Sequence, residues 1–543
     1  MSQTTTASEL SNVQKVDAVV IGAGFAGLYA LYKLREELGL KVQVLDKAGG
    51  IGGTWYWNRY PGARCDSESY YYSYSFSPEV EQEWNWSERY PDHNEIRRYL
   101  TFVADKFDLH RDIRLSTKVT GATYDPERDR WTVQTDVGGT IEAQFLITAV
   151  GCLSTANVPD ILGIDMFTGD WYHTGQWPHE GVDLSGKRVG QIGTGSTGIQ
   201  LAPELAAAAD HLTVFQRTAN YSIPARNAPL TDEFQSEVKK NYREIRAWAK
   251  RTTNGHPFDV RDQSALDVDD VERRKIYDAA WKTGGLRFRA AFRDMLSATR
   301  ANETASDFIR SKIREKVKDP ATAAMLMPVD HGFATKRPPI DTHYFETFNR
   351  DNVSLVDLRV TPIEEITARG IRTTDEEHEL DVIVFATGFD AVTGSLEALN
   401  ISAPDGSTLR NSWNAGPRTY LGLQTPGFPN LFMITGPGSP SVLCNMPVAI
   451  EQHVEWVAQC IEHMRGAGLS RVEPSTDAAD EWMGEVNRAA NATLLPQATS
   501  SWYLGANVPG KPRVFLPYAG GMAHFADICE EVVRNDFRGF IFN

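Results

Sequence analysis

The sequence predicts an α/β protein built on two Rossmann-like dinucleotide-binding units, with a helical insertion in the second. Three observations carry that prediction. A glycine-rich loop, GAGFAG, follows the apolar run 16–21. A second loop of the same spacing, GTGSTG, follows residues 187–192. Between residues 223 and 332 the mixed pattern gives way to helical periodicity without strand-like runs.

In the first unit, residues 16–21 (VDAVVI) read as a buried strand, and the segment after the loop as an amphipathic helix through Leu38. Gly22 suits the tight turn, Gly24 the close approach of backbone to a pyrophosphate, and Gly27 the packing of helix on strand. A second strand, 41–45, ends at Asp46, nineteen residues beyond Gly27, where a carboxylate can accept from a ribose hydroxyl. Strand, loop, helix, strand and acid in register favour dinucleotide binding over a merely structural glycine turn. Residues 52–66, GGTWYWNRYPGARCD, read as a rigid irregular loop with aromatic faces. Alone it could be a packed surface loop; directly after the first fingerprint, contact with a flavin is the better reading. Tyr70, Tyr71, Tyr72 and the stretch to Trp86 suit core and interdomain packing. Residues 95–106 look helical, and 113–148 alternate like a small antiparallel unit closing on the buried strand FLITAV.

The second unit repeats the first, with Gly193, Gly195 and Gly198, then a helix and a strand at 212–215. Gln216 stands where the first unit has Asp46, and Arg217 follows. Loss of the acid and gain of a guanidinium suit a 2′-phosphate, hence NADP rather than NAD, against a solvated surface charge at Arg217. Helices are predicted at 232–251, at 268–283 with Asp267 as N-cap and Gly284 as stop, and at 306–318, with Trp248 and Trp281 in the core. Pro338 keeps Arg337 out of helix, so Lys336 and Arg337 lie on an extended segment. Residues 345–358 and 379–386 return to α/β, the latter ending in an ATGFD turn. A strand at 430–435, the turn GPGSP, a helix at 451–465, a Gly/Pro-rich loop at 500–512 with an exposed-looking Trp502, and a helix at 520–534 complete the chain. The division is thus 1–150 with 386–543 for the first nucleotide domain, 151–222 with 333–385 for the second, and 223–332 for the helical insertion.

A net charge of −16 argues against nucleic acid or an anionic membrane as partner. Five scattered cysteines show no CxxC or metal-ligand spacing, which points to free thiols, no metal and a cytoplasmic setting. Residues 1–15 read as a disordered polar tail rather than a signal peptide, and no apolar run reaches the roughly 18 residues of a membrane span.

Residues 167–198 bridge the units, opening as a linker where a hinge between two nucleotide sites would lie. Its Phe167, Gly169, His173 and Trp177, together with Gly53, Trp55, Tyr60-Pro61-Gly62 and Asp66, resemble the two signature patterns of type I Baeyer–Villiger monooxygenases. The likeness runs over nearly the whole chain. RYPGARCD, EWNWSERY and GPGSPS look closer to the phenylacetone and steroid monooxygenases than to the cyclohexanone enzymes. The related N- and S-oxygenating flavin monooxygenases, the alternative reading, lack the second pattern. A pyridine-nucleotide reductase would need a redox cysteine pair that the chain does not have.

The resemblance implies an FAD- and NADPH-dependent enzyme. Reduced flavin takes up O2 as a C4a-peroxyflavin, which attacks a ketone to give an ester or lactone; aryl, bulky cyclic or long-chain ketones are expected. It implies Arg337 as the catalytic cation, suited by a permanent charge and planar fork, with Asp66 orienting it. FAD contacts are implied at Gly22, Gly24, Phe25, Ala26, Gly27, Asp46, Thr54, Trp55, Asp66, Tyr72 and Met446. NADP contacts are implied at Gly193, Thr194, Gly195, Ser196, Thr197, Gly198, Arg217, Thr218, Lys336, Arg337 and Trp502, the last closing over NADP to exclude water. His173 reads as an interdomain hydrogen-bonding residue rather than a general acid or base. A monomer or weak dimer is expected.

Overall fold

The computed structural model describes residues 13–543. Its first parallel sheet runs in the order Leu431–Met433, Phe145–Thr148, Ala18–Ile21, Val42–Leu45 and Ile113–Arg114. The central strands AVVI and FLIT are buried throughout, as parallel strands covered on both faces must be. The second parallel sheet runs Val353–Asp357, His211–Gln216, Arg188–Ile192, Val382–Phe385 and Asp170–His173. In each sheet a glycine loop leaves the carboxyl end of a central strand and opens a helix, Phe25–Tyr32 in one and Ser196–Ala208 in the other. That end of an open parallel sheet is where ligands bind. A smaller sheet is formed by Val119–Asp125, Arg130–Thr135 and Thr140–Ala143, antiparallel, flanked by Gln14–Lys15 and Ile401–Ser402.

Several elements differ from the sequence reading. Gln14–Lys15 pairs with Ile141 and Glu142 instead of belonging to a disordered tail; the rest of that predicted tail, residues 1–12, lies outside the described residues. The predicted helix 232–251 is two helices, Asp232–Lys240 and Tyr242–Arg251. Between them the Asn241 amide donates back to the Glu237 carbonyl at 2.8 Å, the local bonding by which Asn competes with helix. The helix Asp270–Thr283 is capped by Asp269, not Asp267, through a 2.9 Å bond from the Glu272 N–H. Thr299–Lys316 starts earlier than predicted, and residues 345–358 resolve into a short helix, Tyr344–Thr347, and the strand Val353–Asp357.

The insertion is not free of strand. Ile223–Pro224 pairs in parallel with Ile340–Asp341, closing the two ends of the helical block on each other. Trp281 is buried, but Trp248 is 37% exposed and caps its own surface by donating to Asp259 at 2.9 Å. Identical side chains on two amphipathic helices thus take opposite roles because they fall on opposite faces. All five cysteines are free and buried. Among the described residues, no helix is long and apolar enough to cross a membrane, and no cluster has the make-up of a metal site.

Candidate active site

The two glycine loops share one steric plan. A Cβ at Gly27 would stand 1.8 Å from the Gly22 carbonyl oxygen, and one at Gly198 would stand 2.2 Å from that of Gly193. The third glycine of each loop is therefore dictated by helix crossing strand. The middle glycines differ: Gly195 faces open space, the room a diphosphate needs, whereas a Cβ on Gly24 would meet the Gly53 Cα at 3.2 Å. Gly24 is thus also closely faced by the loop that follows the second strand. Asp46 is buried and its carboxylate accepts from the backbone N–H of Ala23 at 2.6 Å and of Ala48 at 2.8 Å. Burial raises its pKa while those two bonds oppose the rise. The acid ties its own strand to the glycine loop, and these two bonds use only part of its acceptor capacity.

Residues 52–66 contain a short helix, Thr54–Trp57, rather than irregular loop alone. Its Trp55 indole donates to the Tyr72 hydroxyl at 3.1 Å, and Phe25 lies edge-on to Tyr72 at 5.3 Å, so three residues of the expected flavin wall form one aromatic cluster beside Ala26. The rest of the segment serves another purpose. Tyr60 donates to the Gln200 side chain at 2.8 Å, and the Gln200 amide donates to the Arg64 carbonyl at 3.1 Å. A Cβ on Gly62 would strike the Gln200 carbonyl oxygen at 2.7 Å. Tyr60-Pro61-Gly62 therefore docks the first unit on the Ser196–Ala208 helix of the second, near Thr197.

That docking brings Asp66 to Arg337. The Arg337 Nε donates to Asp66 Oδ2 at 2.7 Å and its Nη2 to Oδ1 at 2.8 Å, a two-pronged fork between residues 271 apart in sequence. Nη1 donates to the Val442 carbonyl at 2.5 Å, so the segment just before Met446, the first residue of the helix Met446–Ala467, also meets the guanidinium. Burial alone would lift the Asp66 pKa; the Arg337 charge and hydrogen bonds overcome it and leave the carboxyl below its ordinary value. The same pairing raises the Arg337 pKa further, so the charge is permanent. Tyr503, adjoining Trp502, lies within electrostatic reach of Arg337 and Asp66.

At the second loop, Thr194 donates to the Thr218 carbonyl at 2.8 Å, fixing the strand end that carries Arg217. Gln216 is buried and donates to the Met325 carbonyl at 2.8 Å, so no acid occupies that corner. Arg217 is exposed, and Lys336 lies near enough for its charge to be felt. Burial lowers the Lys336 pKa and Arg217 lowers it further, against the opposing pull of Asp330. The two cations thus lie close enough to repel each other. Arg217→Ala is expected to reduce the preference for NADPH over NADH at least about tenfold, a loss of one charge-assisted contact. Steady-state kinetics with both coenzymes checks this, and an unchanged preference would remove Arg217 from that role.

Residues 19–260 match the pyridine nucleotide-disulphide oxidoreductase family. A Baeyer–Villiger monooxygenase from Pseudooceanicola batsensis is 45% identical over 97% of this chain and 96% of its own length. The chain belongs to the Baeyer–Villiger monooxygenase family. A solved steroid monooxygenase bound to NADP, 52% identical, superposes with a TM-score of 0.93 over 97% of this chain and 99% of that one. A phenazine N-monooxygenase from Lysobacter antibioticus is 44% identical over 97% of this chain and 96% of its length.

In this Baeyer–Villiger family member the fingerprint is not a loose linker. Asp170–His173 is the edge strand of the second sheet, paired with Val382–Phe385, and a Cβ on Gly169 would strike the Asp381 carbonyl oxygen at 2.4 Å. Phe167 packs against the sheet and Trp177 is buried beneath Tyr172. His173 is buried, its Nδ1 accepts from the Gly175 N–H at 3.0 Å, and its ring meets Phe389 edge-on at 5.9 Å. Burial holds its pKa below the usual imidazole value. Phe389, in the ATGFD turn, has its carbonyl bonded by the Asn507 amide at 2.8 Å, and neighbouring Asp390 pairs with Lys511. His173 therefore reaches the 500–512 loop through one phenylalanine. Trp502 is partly buried, its ring tilted against that of Tyr503 at 4.5 Å, and not the exposed side chain its Gly/Pro-rich loop predicts. Sequence reasoning missed Gln200, Phe389, Asn507 and Tyr503, although Phe389 lies in the ATGFD turn and Tyr503 and Asn507 in the 500–512 loop that the sequence singles out.

Proposed function

We propose that this chain inserts one atom of O2 beside a ketone carbonyl, giving an ester or lactone, with FAD as cofactor and NADPH as reductant. The observation that carries the reading is Arg337. Of five guanidinium N–H groups, three are committed to Asp66 and Val442; the remaining one on Nη1 and one on Nη2 are shared between the adjoining Tyr503 phenol and a developing oxyanion. A preoriented, permanently charged donor in a partly buried site stabilises such charge far better than water can.

The residues fit both nucleotides. The Gly22–Gly27 loop, Asp46 and the Phe25, Trp55 and Tyr72 cluster would hold FAD, with Thr54 and Met446 at its edges. The loop from Gly193 through Thr194, Gly195, Ser196 and Thr197 to Gly198 would hold NADP, with Arg217, Thr218 and Lys336 on its 2′-phosphate. FAD supplies, once reduced by NADPH, the activation of O2. Arg337 stays charged and fixed, Asp66 orients it, and Trp502 with its tethered loop excludes water. His173 sets the position of that loop through Phe389 and moves no proton. We assign residues 1–150 and 386–543 to the FAD domain, 151–222 and 333–385 to the NADP domain, and 223–332 to the insertion. Aryl, bulky cyclic or long-chain ketones, a cytoplasmic location and a monomer or weak dimer complete the reading.

The phenazine N-monooxygenase relative favours a second reading, oxygenation at nitrogen. Purified holoenzyme offered phenylacetone, a thioether and a phenazine together, with NADPH, is expected to yield the ester as the main product. An N-oxide as main product would select the second reading.

A further inference from the structure

The turn Gly285–Ala290 in the helical insertion carries two arginines whose charges are treated differently. Arg287 donates to Glu68 at 3.2 Å and to the Tyr70 hydroxyl at 3.3 Å, and lies over the Phe258 ring at 4.8 Å. Arg289, two residues on, has among the described residues no carboxylate within 4.0 Å, no hydrogen bond, and a buried Nε without a partner. Arg59 and Arg97 also lack carboxylates, yet both rest on the face of Tyr56, at 4.8 and 5.1 Å. Arg289 has no such ring.

Its surroundings are those of the candidate active site. Arg289 lies within electrostatic range of Tyr503, Arg337 and Asp66, and His256 lies close to the same group. None of these can neutralise it. Asp66 is already forked by Arg337. Tyr503 is a neutral phenol whose pKa burial raises. His256 is kept uncharged, pushed down to about 3 by burial and by Arg289 itself, and its Nδ1 is also without a partner. Two guanidinium groups and one carboxylate leave the site with one positive charge in excess. A half-buried cation without a counter-ion is costly unless something that binds there supplies the anion.

We propose that Arg289 is a specificity-determining residue that takes a carboxylate carried by the substrate, so that the preferred ketones are keto acids. This rests on the oxygen-insertion reading above and narrows its substrate class. Arg is suited to a carboxylate because its planar fork can engage both oxygens, and the fork is uncommitted here. Arg337 remains with Asp66, beside the carbonyl.

The test uses matched pairs, 4-acetylbenzoate with its methyl ester and 5-oxohexanoate with 2-hexanone, on wild-type, Arg289→Leu and Arg289→Lys holoenzyme. Two quantities are read: kcat/KM for oxygenated product, and Kd on the oxidised enzyme from the flavin difference spectrum. Wild type is expected to favour each acid over its neutral partner at least about tenfold in both. In Arg289→Leu that ratio is expected to fall tenfold or more, chiefly through KM and Kd, with Arg289→Lys intermediate. Equal losses for acid and neutral ketone would overturn the proposal, as would a wild-type preference for the neutral member. A rise confined to the KM for NADPH would overturn it too, by assigning Arg289 to the coenzyme. Failure of every ketone to give an inserted product would instead overturn the oxygen-insertion reading. Oxidation of neutral ketones with rejection of the acids would overturn only this inference.

Discussion

Arg337→Ala is expected to lower ester formation by about two to three orders of magnitude, the cost of removing an oxyanion donor, while NADPH still reduces the flavin at close to its normal rate. Hydride transfer requires alignment of two rings; it does not require a cation beside the carbonyl. NADPH consumption should therefore continue and end in hydrogen peroxide rather than product. Arg337→Lys separates charge from geometry. Lysine keeps the charge but cannot span both Asp66 oxygens at 2.7 and 2.8 Å while also donating to Val442. It should retain only a minor part of the activity. Stopped-flow reduction and product yield on the same preparations check this, and parallel loss of both steps would refute the assignment.

The second large effect is expected at Asp66. Asp66→Ala removes the acceptor of two Arg337 bonds and leaves a guanidinium with 25% side-chain exposure beside no counter-ion. Breaking a buried pair from one side costs about 3–5 kcal/mol; partial exposure places this one near the lower end, still a large share of the roughly 5–15 kcal/mol that stabilises a typical domain. The thermal midpoint should fall by several degrees. Ester formation should drop about a hundredfold, as expected when a catalytic group is displaced by about 1 Å. The pH dependence has a fixed sign. The folded carboxyl is held below its ordinary value, so the Asp66 contribution is complete above the unfolded carboxylate pKa, about 3.9. It is lost only as pH falls through the depressed folded value. Wild-type profiles between about pH 5 and 9 should therefore show no titration of Asp66. An Asp66→Ala protein that melts with wild type and keeps its product yield would remove the pair from the account.

Legibility in the sequence followed the range of the forces involved. The nucleotide loops could be read directly because their glycines answer to atoms a few residues away, as with Gly27 against the Gly22 carbonyl and Gly198 against that of Gly193. The Arg337–Asp66 fork, 271 residues apart, was reachable only through family resemblance, since nothing local in either segment names its partner. Trp248 and Trp281 show the limit of hydrophobicity: which face of a helix meets the core decides burial, and one helix buries its tryptophan while the other leaves it exposed. The fingerprint reads as linker because its strand is short and half exposed, with a register fixed by Val382–Phe385 far along the chain. Arg289 had no signal at all. Its significance is the absence of a partner, and that emerges only when every neighbouring carboxylate is seen to be engaged elsewhere.

The most direct measurement is isotopic. Purified holoenzyme given NADPH, a broad ketone panel and labelled dioxygen should form an ester or lactone carrying one labelled atom per NADPH consumed. Consumption of NADPH with labelled hydrogen peroxide as the sole oxygenated product, across the whole panel, would contradict the account at its centre.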